Sequence, residues 1–177
     1  MSYKKVNCKA DLTSQDYNGR TTLHWAAKNS YLPIWEEFLT TENMLVADKD
    51  GVTPMHYAAL FGSMAQIPAS LRVEETLLVQ DSNGVTPLHI AAMLGGLNHV
   101  PAAILTTGNL LLRDNNNNTP IALARQEGYL NQLLGTDLKG NEIKVCVGPE
   151  WWNENSKILD KKQELKYNTN AGVIDIF

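Results

Sequence analysis

Asp81-Ser82-Asn83-Gly84-Val85-Thr86-Pro87-Leu88-His89-Ile90-Ala91-Ala92 decides how the chain is built, because the chain repeats it. Thirty-three positions earlier stands Asp48-Lys49-Asp50-Gly51-Val52-Thr53-Pro54-Met55-His56-Tyr57-Ala58-Ala59. A further 32 back lies Asp16-Tyr17-Asn18-Gly19-Arg20-Thr21-Thr22-Leu23-His24-Trp25-Ala26-Ala27. Thirty-three positions later comes a worn copy, Asp114-Asn115-Asn116-Asn117-Asn118-Thr119-Pro120-Ile121-Ala122-Leu123-Ala124. A fixed period of this size marks units that cannot bury their faces alone and stack to do so. In each unit Asp-x-x-Gly turns the chain sharply, with glycine supplying a positive φ. Thr-Pro then opens a helix, since proline in the first turn gives up no needed N–H. The alanine pair lets neighbouring helices approach.

The Thr-Pro-Leu-His-x-Ala element at this period resembles the ankyrin-repeat signature over roughly residues 16 to 135. The resemblance implies an all-α solenoid of ankyrin repeats with β-turn fingers, each repeat carrying an inner and an outer helix. Residues 1–15 read as an N-terminal cap segment and 16–136 as the solenoid. Thr22 takes the place of proline in repeat one and predicts a looser first helix. The outer helix Leu32–Leu39 is one residue shorter than its counterparts, which accounts for the 32-residue spacing. Pro68 and Pro101 fall inside the outer segments of repeats two and three, where proline costs a helix ~3 kcal/mol. Single turns, broken and restarted at the proline, are expected there. In repeat four Asn117 replaces the finger glycine, and its short amide suits the left-handed region. Ala122 replaces the histidine and Arg125 the second alanine, the wear expected of a terminal repeat. Asp137-Leu138-Lys139-Gly140 resembles a fifth finger arriving early.

Beyond the solenoid, alternation in Glu142-Ile143-Lys144-Val145-Cys146-Val147 predicts a strand. Gly148-Pro149-Glu150 then starts a helix to about Lys166, with Trp151, Trp152, Ile158, Leu159 and Leu165 as its apolar stripe. Residues 137–166 therefore read as a small C-terminal strand-plus-helix cap, and 167–177 as a flexible tail. Val173-Ile174-Asp175-Ile176-Phe177 resembles the short peptides by which bacterial proteins dock on the DNA sliding clamp, although the leading Gln is missing. A strand pairing with the chain's own domain is the other reading.

A net charge of -4 and a pI near 5.5 give no basic footprint for nucleic acid. No apolar run reaches the ~18–20 residues of a membrane helix, and the start of the chain has no signal-peptide pattern. Cys8 and Cys146, at opposite ends of a linear array, read as unpaired thiols of a reducing compartment. The expected location is the cytoplasm, signal-independent export aside.

His24, His56 and His89 invite a metal or acid–base reading. Equivalent positions in stacked helices lie roughly 8–10 Å apart, whereas metal ligands converge within about 2 Å of one ion. They read as structural, and His99 as a surface residue. No phosphate loop, nucleophile elbow or metal-spaced cluster occurs, so no cofactor is expected. The chain reads as a non-enzyme; the competing enzyme reading would place a site at Trp151, Trp152, Asn153 and Glu154.

The resemblance implies that partners bind the finger tips and the exposed side of the inner helices. Carried onto this sequence, the partner-binding residues are Tyr17, Arg20, Lys49, Val52, Leu60, Phe61, Val85, Met93, Leu94, Asn116 and Asn118. Val52, Leu60, Phe61, Val85, Met93 and Leu94 form an apolar centre, and Lys28 and Glu127 lie to either side in a polar rim, as a protein-binding site requires. A protein-protein interaction module acting as adaptor or inhibitor is the expected function. An oligomerising scaffold is the alternative.

Overall fold

The computed structural model describes residues 14–132, 165–168 and 173–176. Within 14–132 the chain repeats one course: finger, inner α-helix, 3-10 turns, short helix. The inner helices are α1 (Thr22–Lys28), α3 (Pro54–Leu60), α5 (Pro87–Leu94) and α7 (Pro120–Gln126); the short ones are α2 (Thr41–Met44), α4 (Glu74–Leu77) and α6 (Thr107–Leu110). Each inner helix packs on the next, α1 on α3, α3 on α5 and α5 on α7. Together they make an all-α repeat solenoid.

The alanine pairs explain that close packing. Ala26 and Ala27, Ala58 and Ala59, and Ala91 and Ala92 are buried, beside Leu23, Met55 and Leu88. A second row of buried side chains, Leu32, Met64, Ile67, Leu97 and Val100, comes from the 3-10 segments, and Met44, Leu77 and Leu110 come from the short helices. A large side chain at an alanine position would overpack this seam, at roughly 1–3 kcal/mol.

Each finger closes on its own aspartate. Asp48 Oδ1 accepts from the backbone N–H groups of Asp50 and Val52 at 3.0 and 2.9 Å, and Asp81 does the same for Asn83 and Val85 at 2.8 and 2.9 Å. Fingers also bond to one another. Lys49 N–H donates to Asn18 O, Ser82 N–H to Asp50 O and Asn115 N–H to Asn83 O, at 2.9–3.0 Å. This approach is why glycine is needed at Gly51 (φ 78°): a Cβ there would lie 3.0 Å from Ser82 N. Asn117 keeps the positive φ (63°) with a side chain. Asp137-Leu138-Lys139-Gly140, read as an early fifth finger, lies outside the described residues.

The histidines close the joints. Thr53 N–H donates to His56 Nδ1 at 3.1 Å, which leaves Nε2 to donate to the Val85 carbonyl at 3.1 Å. His24 bonds Val52 O at 3.0 Å in the same manner, and His89 bonds Leu112 O at 3.0 Å. Ala122 has no such bond to offer.

Outer segments follow the prolines. Met64–Gln66 and Ala69–Leu71 flank Pro68, and Leu97–His99 and Ala102–Ile104 flank Pro101. The break is as expected, except that each proline caps the second turn from outside (φ -52° and -57°) rather than opening it. Repeat one keeps a single 3-10 stretch, Leu32–Phe38. The connectors from the outer segments to the next fingers are helical. Thr40 and Thr106 cap α2 and α6 by accepting from Asn43 and Asn109 N–H.

The expected strand at 142–147 and the body of the expected helix lie outside the described residues, and the strand-plus-helix cap finds no support in the described ones. Two corrections apply near the end of the chain. Leu165 and Lys166, read as the end of that helix, are strand, and within 167–177, read as a flexible tail, Tyr167, Asn168 and 173–176 are strand too. Leu165–Asn168 (β1) pairs antiparallel with Val173–Ile176 (β2), Leu165 opposite Ile176 and Asn168 opposite Val173. The β-branched pair Val173-Ile174 suits a strand, and the intervening Thr-Asn-Ala-Gly is rich in turn formers.

Two measurements check this frame. Ser30 has φ 58°, where the equivalent positions are Gly62, Gly95 and Gly128. Because only glycine adopts that region without cost, Ser30→Gly should raise stability by roughly 0.5–1 kcal/mol in urea unfolding. Second, burial pushes the imidazoles of His24, His56 and His89 below their usual value of 6.5, more than their bonds to backbone carbonyls pull them up. The unfolded chain then takes up protons that the folded chain refuses. Stability should be fully present above pH 6.5 and fall as pH drops below it. Each histidine contributes at most about 1.4 kcal/mol per pH unit. Urea midpoints measured down to pH 5.5 (an interval chosen on the order of one unit below the imidazole value) should show that slope, and His56→Gln should flatten it.

Candidate functional site

What the finger and histidine bonds leave unused is the row of side chains between them. Tyr17, at the first finger tip, is 88% exposed, and the Lys49 ammonium of the second finger lies 4.1 Å from its ring centroid. Trp25 follows His24 on α1 and is 38% exposed. Its indole N–H donates to Asp16 Oδ2 at 3.3 Å, and the Arg20 guanidinium and the Lys28 ammonium lie 5.1 and 5.2 Å from its ring. The Lys28 ammonium is also 5.7 Å from the Phe61 ring, which in turn stands 5.9 Å from the ring of Tyr57. Tyr57 meets His24 edge-on at 5.4 Å. These contacts join repeats one and two into one aromatic and cationic surface.

Leu60 and Phe61 at the end of α3, and Leu94 at the end of α5, are 47%, 43% and 46% exposed. Lys49 and Asn116 are exposed as well, while Arg20, Val52, Val85, Met93 and Asn118 are half-buried. The apolar centre thus narrows from six side chains to Leu60, Phe61 and Leu94. Asn118 turns back into its own finger, donating from Nδ2 to Asp114 Oδ2 at 2.9 Å. With Asn116 it stands apart from the aromatic surface of repeats one and two.

Trp25 and Tyr57 escaped the sequence reading. Both occupy the position after histidine in the repeated motif, which carries Trp25, Tyr57, Ile90 and Leu123. That position changes in every copy within an otherwise repeated element, and this was the available signal.

Little here resembles a reaction centre. Both nitrogens of each repeat histidine are engaged. Asp16 is held below the usual carboxylate range, first by the Arg20 backbone N–H. Among the described residues no group of His, Cys, Asp and Glu could hold a metal ion.

A family model described as ankyrin repeats (3 copies) matches residues 3–68. That segment carries ankyrin repeats. No curated protein matches the chain. The ankyrin course continues past the matched segment, since α5 and α7 carry the same finger, Thr cap and helix start as α1 and α3. Ankyrin repeats are generally protein-protein interaction modules, and they are typically non-enzymatic.

Proposed function

We propose that this protein is a non-enzymatic binding module built of ankyrin repeats. It takes a protein partner on the face made by its fingers and inner helices, as an adaptor or as an inhibitor that covers its target. One observation carries the reading: Tyr17 on the first finger, and Trp25, Leu60, Phe61 and Leu94 on or just after the inner helices, are large apolar side chains left exposed. Burying one such side chain at an interface is worth ~1.5–3 kcal/mol, and aromatic anchors of this kind dominate many interfaces. The array pays little ordering entropy on binding, because hydrogen bonds between fingers already fix the spacing of these side chains. No described helix is long and apolar enough to cross a membrane.

The C-terminal segment is left out of the proposed face. Val173–Ile176 already pairs with Leu165–Asn168, so one edge of the peptide that would dock on a sliding clamp is occupied by its own chain.

Affinity capture with mass spectrometry tests the proposal, using the wild-type chain, Phe61→Ala and Leu94→Asp. Both positions are surface ones, so unfolding midpoints should move by no more than about 0.5 kcal/mol. Retention of the partner should fall at least about tenfold for each variant. Equal retention by folded variants would sink the proposal.

A further inference from the structure

The cations on this face have unusual neighbours. Arg20, Lys28 and Lys49 make no ion pair with a described residue; each stands against an aromatic ring instead, at 5.1, 5.2 and 4.1 Å. Arg20 Nε is shielded from water and has no hydrogen-bond partner among the described residues. The carboxylates nearby are otherwise engaged. Asp16 accepts from two backbone N–H groups and an indole, and Asp48 from two backbone N–H groups. Asp16 and Asp50 are the exposed acids of these fingers. With Asp48 they equal the three cations in number, so this corner offers N–H donors held over rings rather than a net positive charge.

The charged finger-tip side chains are also unevenly placed. The third and fourth fingers carry Ser82, Asn83, Asn115 and Asn116 where the first two carry Tyr17, Asn18, Lys49 and Asp50. At the far end of the face stands exposed Glu127, just after α7. Between the two ends lie Leu60, Phe61 and Leu94.

The geometry points to an acidic peptide segment as the partner: carboxylates over Arg20, Lys28 and Lys49, and an adjoining aliphatic or aromatic side chain on Phe61, Leu60 and Leu94. This rests on the binding reading above and names the chemistry it takes. An ammonium held over a ring keeps N–H donors for a carboxylate, so a charge-assisted bond adds to the cation–π contact without replacing it. The polarity of the face orients the segment, acidic part towards repeat one and apolar part towards repeat three. Nucleic acid fits less well. A phosphate backbone calls for a continuing row of cations, and here the row ends at the second finger.

The test pans a phage-displayed random peptide library on the full chain, then titrates the most enriched peptide, fluorescently labelled. Enriched peptides should carry Asp or Glu beside Leu, Phe or Trp. Replacing those acids by Asn and Gln should weaken binding at least about tenfold, as should Lys28→Glu in a chain whose thermal unfolding is unchanged. Binding should also weaken as salt rises. Neutral or basic peptides that lose binding to Leu94→Asp would overturn the acidic chemistry and leave the binding face standing. Peptides indifferent to Leu94→Asp, or no enrichment, would overturn both. A labelled oligo-dT binding as tightly as the peptide and lost in Lys28→Glu would overturn the choice of a peptide.

Discussion

Among the hydrogen bonds that join consecutive repeats, two recur and run in opposite directions, and the placing of the fingers depends on them. The finger of each later repeat donates a backbone N–H to the finger before it, as Ser82 does to Asp50. The histidine of the earlier repeat donates in return to the finger after it, as His56 does to Val85. Both bonds need the imidazole and the turn in one geometry, since Thr53 N–H must occupy Nδ1 for Nε2 to carry the proton. Buried donors and acceptors left unmade are costly, so the joint has one good solution. The repeats therefore keep a common spacing.

That spacing is what turns scattered side chains into a surface. A residue one position after the finger Asp, such as Tyr17 or Lys49, meets its partner ring or cation in the neighbouring repeat. It meets its counterpart only because the next repeat arrives at a set distance. Lys28 of repeat one reaches the Phe61 ring of repeat two, and Lys49 of repeat two reaches back to the Tyr17 ring of repeat one. Rings and cations thus interleave across the joint, and the joint itself supplies the rigidity on which recognition depends.

Much of this was legible in the chain, residue by residue. The histidines read as structural because equivalent positions in a stack cannot converge, and both nitrogens proved engaged in the joints. Asn117 read as a working turn because asparagine tolerates positive φ. Pro68 and Pro101 read as breaks because an interior proline removes a helix hydrogen bond. Other features were hidden for stated reasons. The short helices over 41–44, 74–77 and 107–110 are single turns, too brief for a period of 3.6 to show. Trp25 and Tyr57 sit inside the motif, and the motif drew the eye to its constant residues. The pairing of Leu165–Asn168 with Val173–Ile176 depends on a partner strand, and a short apolar run does not announce one.

The sequence by itself determined the architecture, because period, turn chemistry, capping and proline placement are local and repeat four times over. Only the tertiary structure decided which candidates form a site. Val52, Val85 and Met93 turned out half-buried and Asn118 folded back on Asp114, while Trp25 stands between Arg20 and Lys28, and Lys28 also reaches Phe61. The contacts of Lys28 with Phe61 and of Lys49 with Tyr17 arise between repeats, from the distance and rotation of one repeat on the next, and no single repeat encodes them.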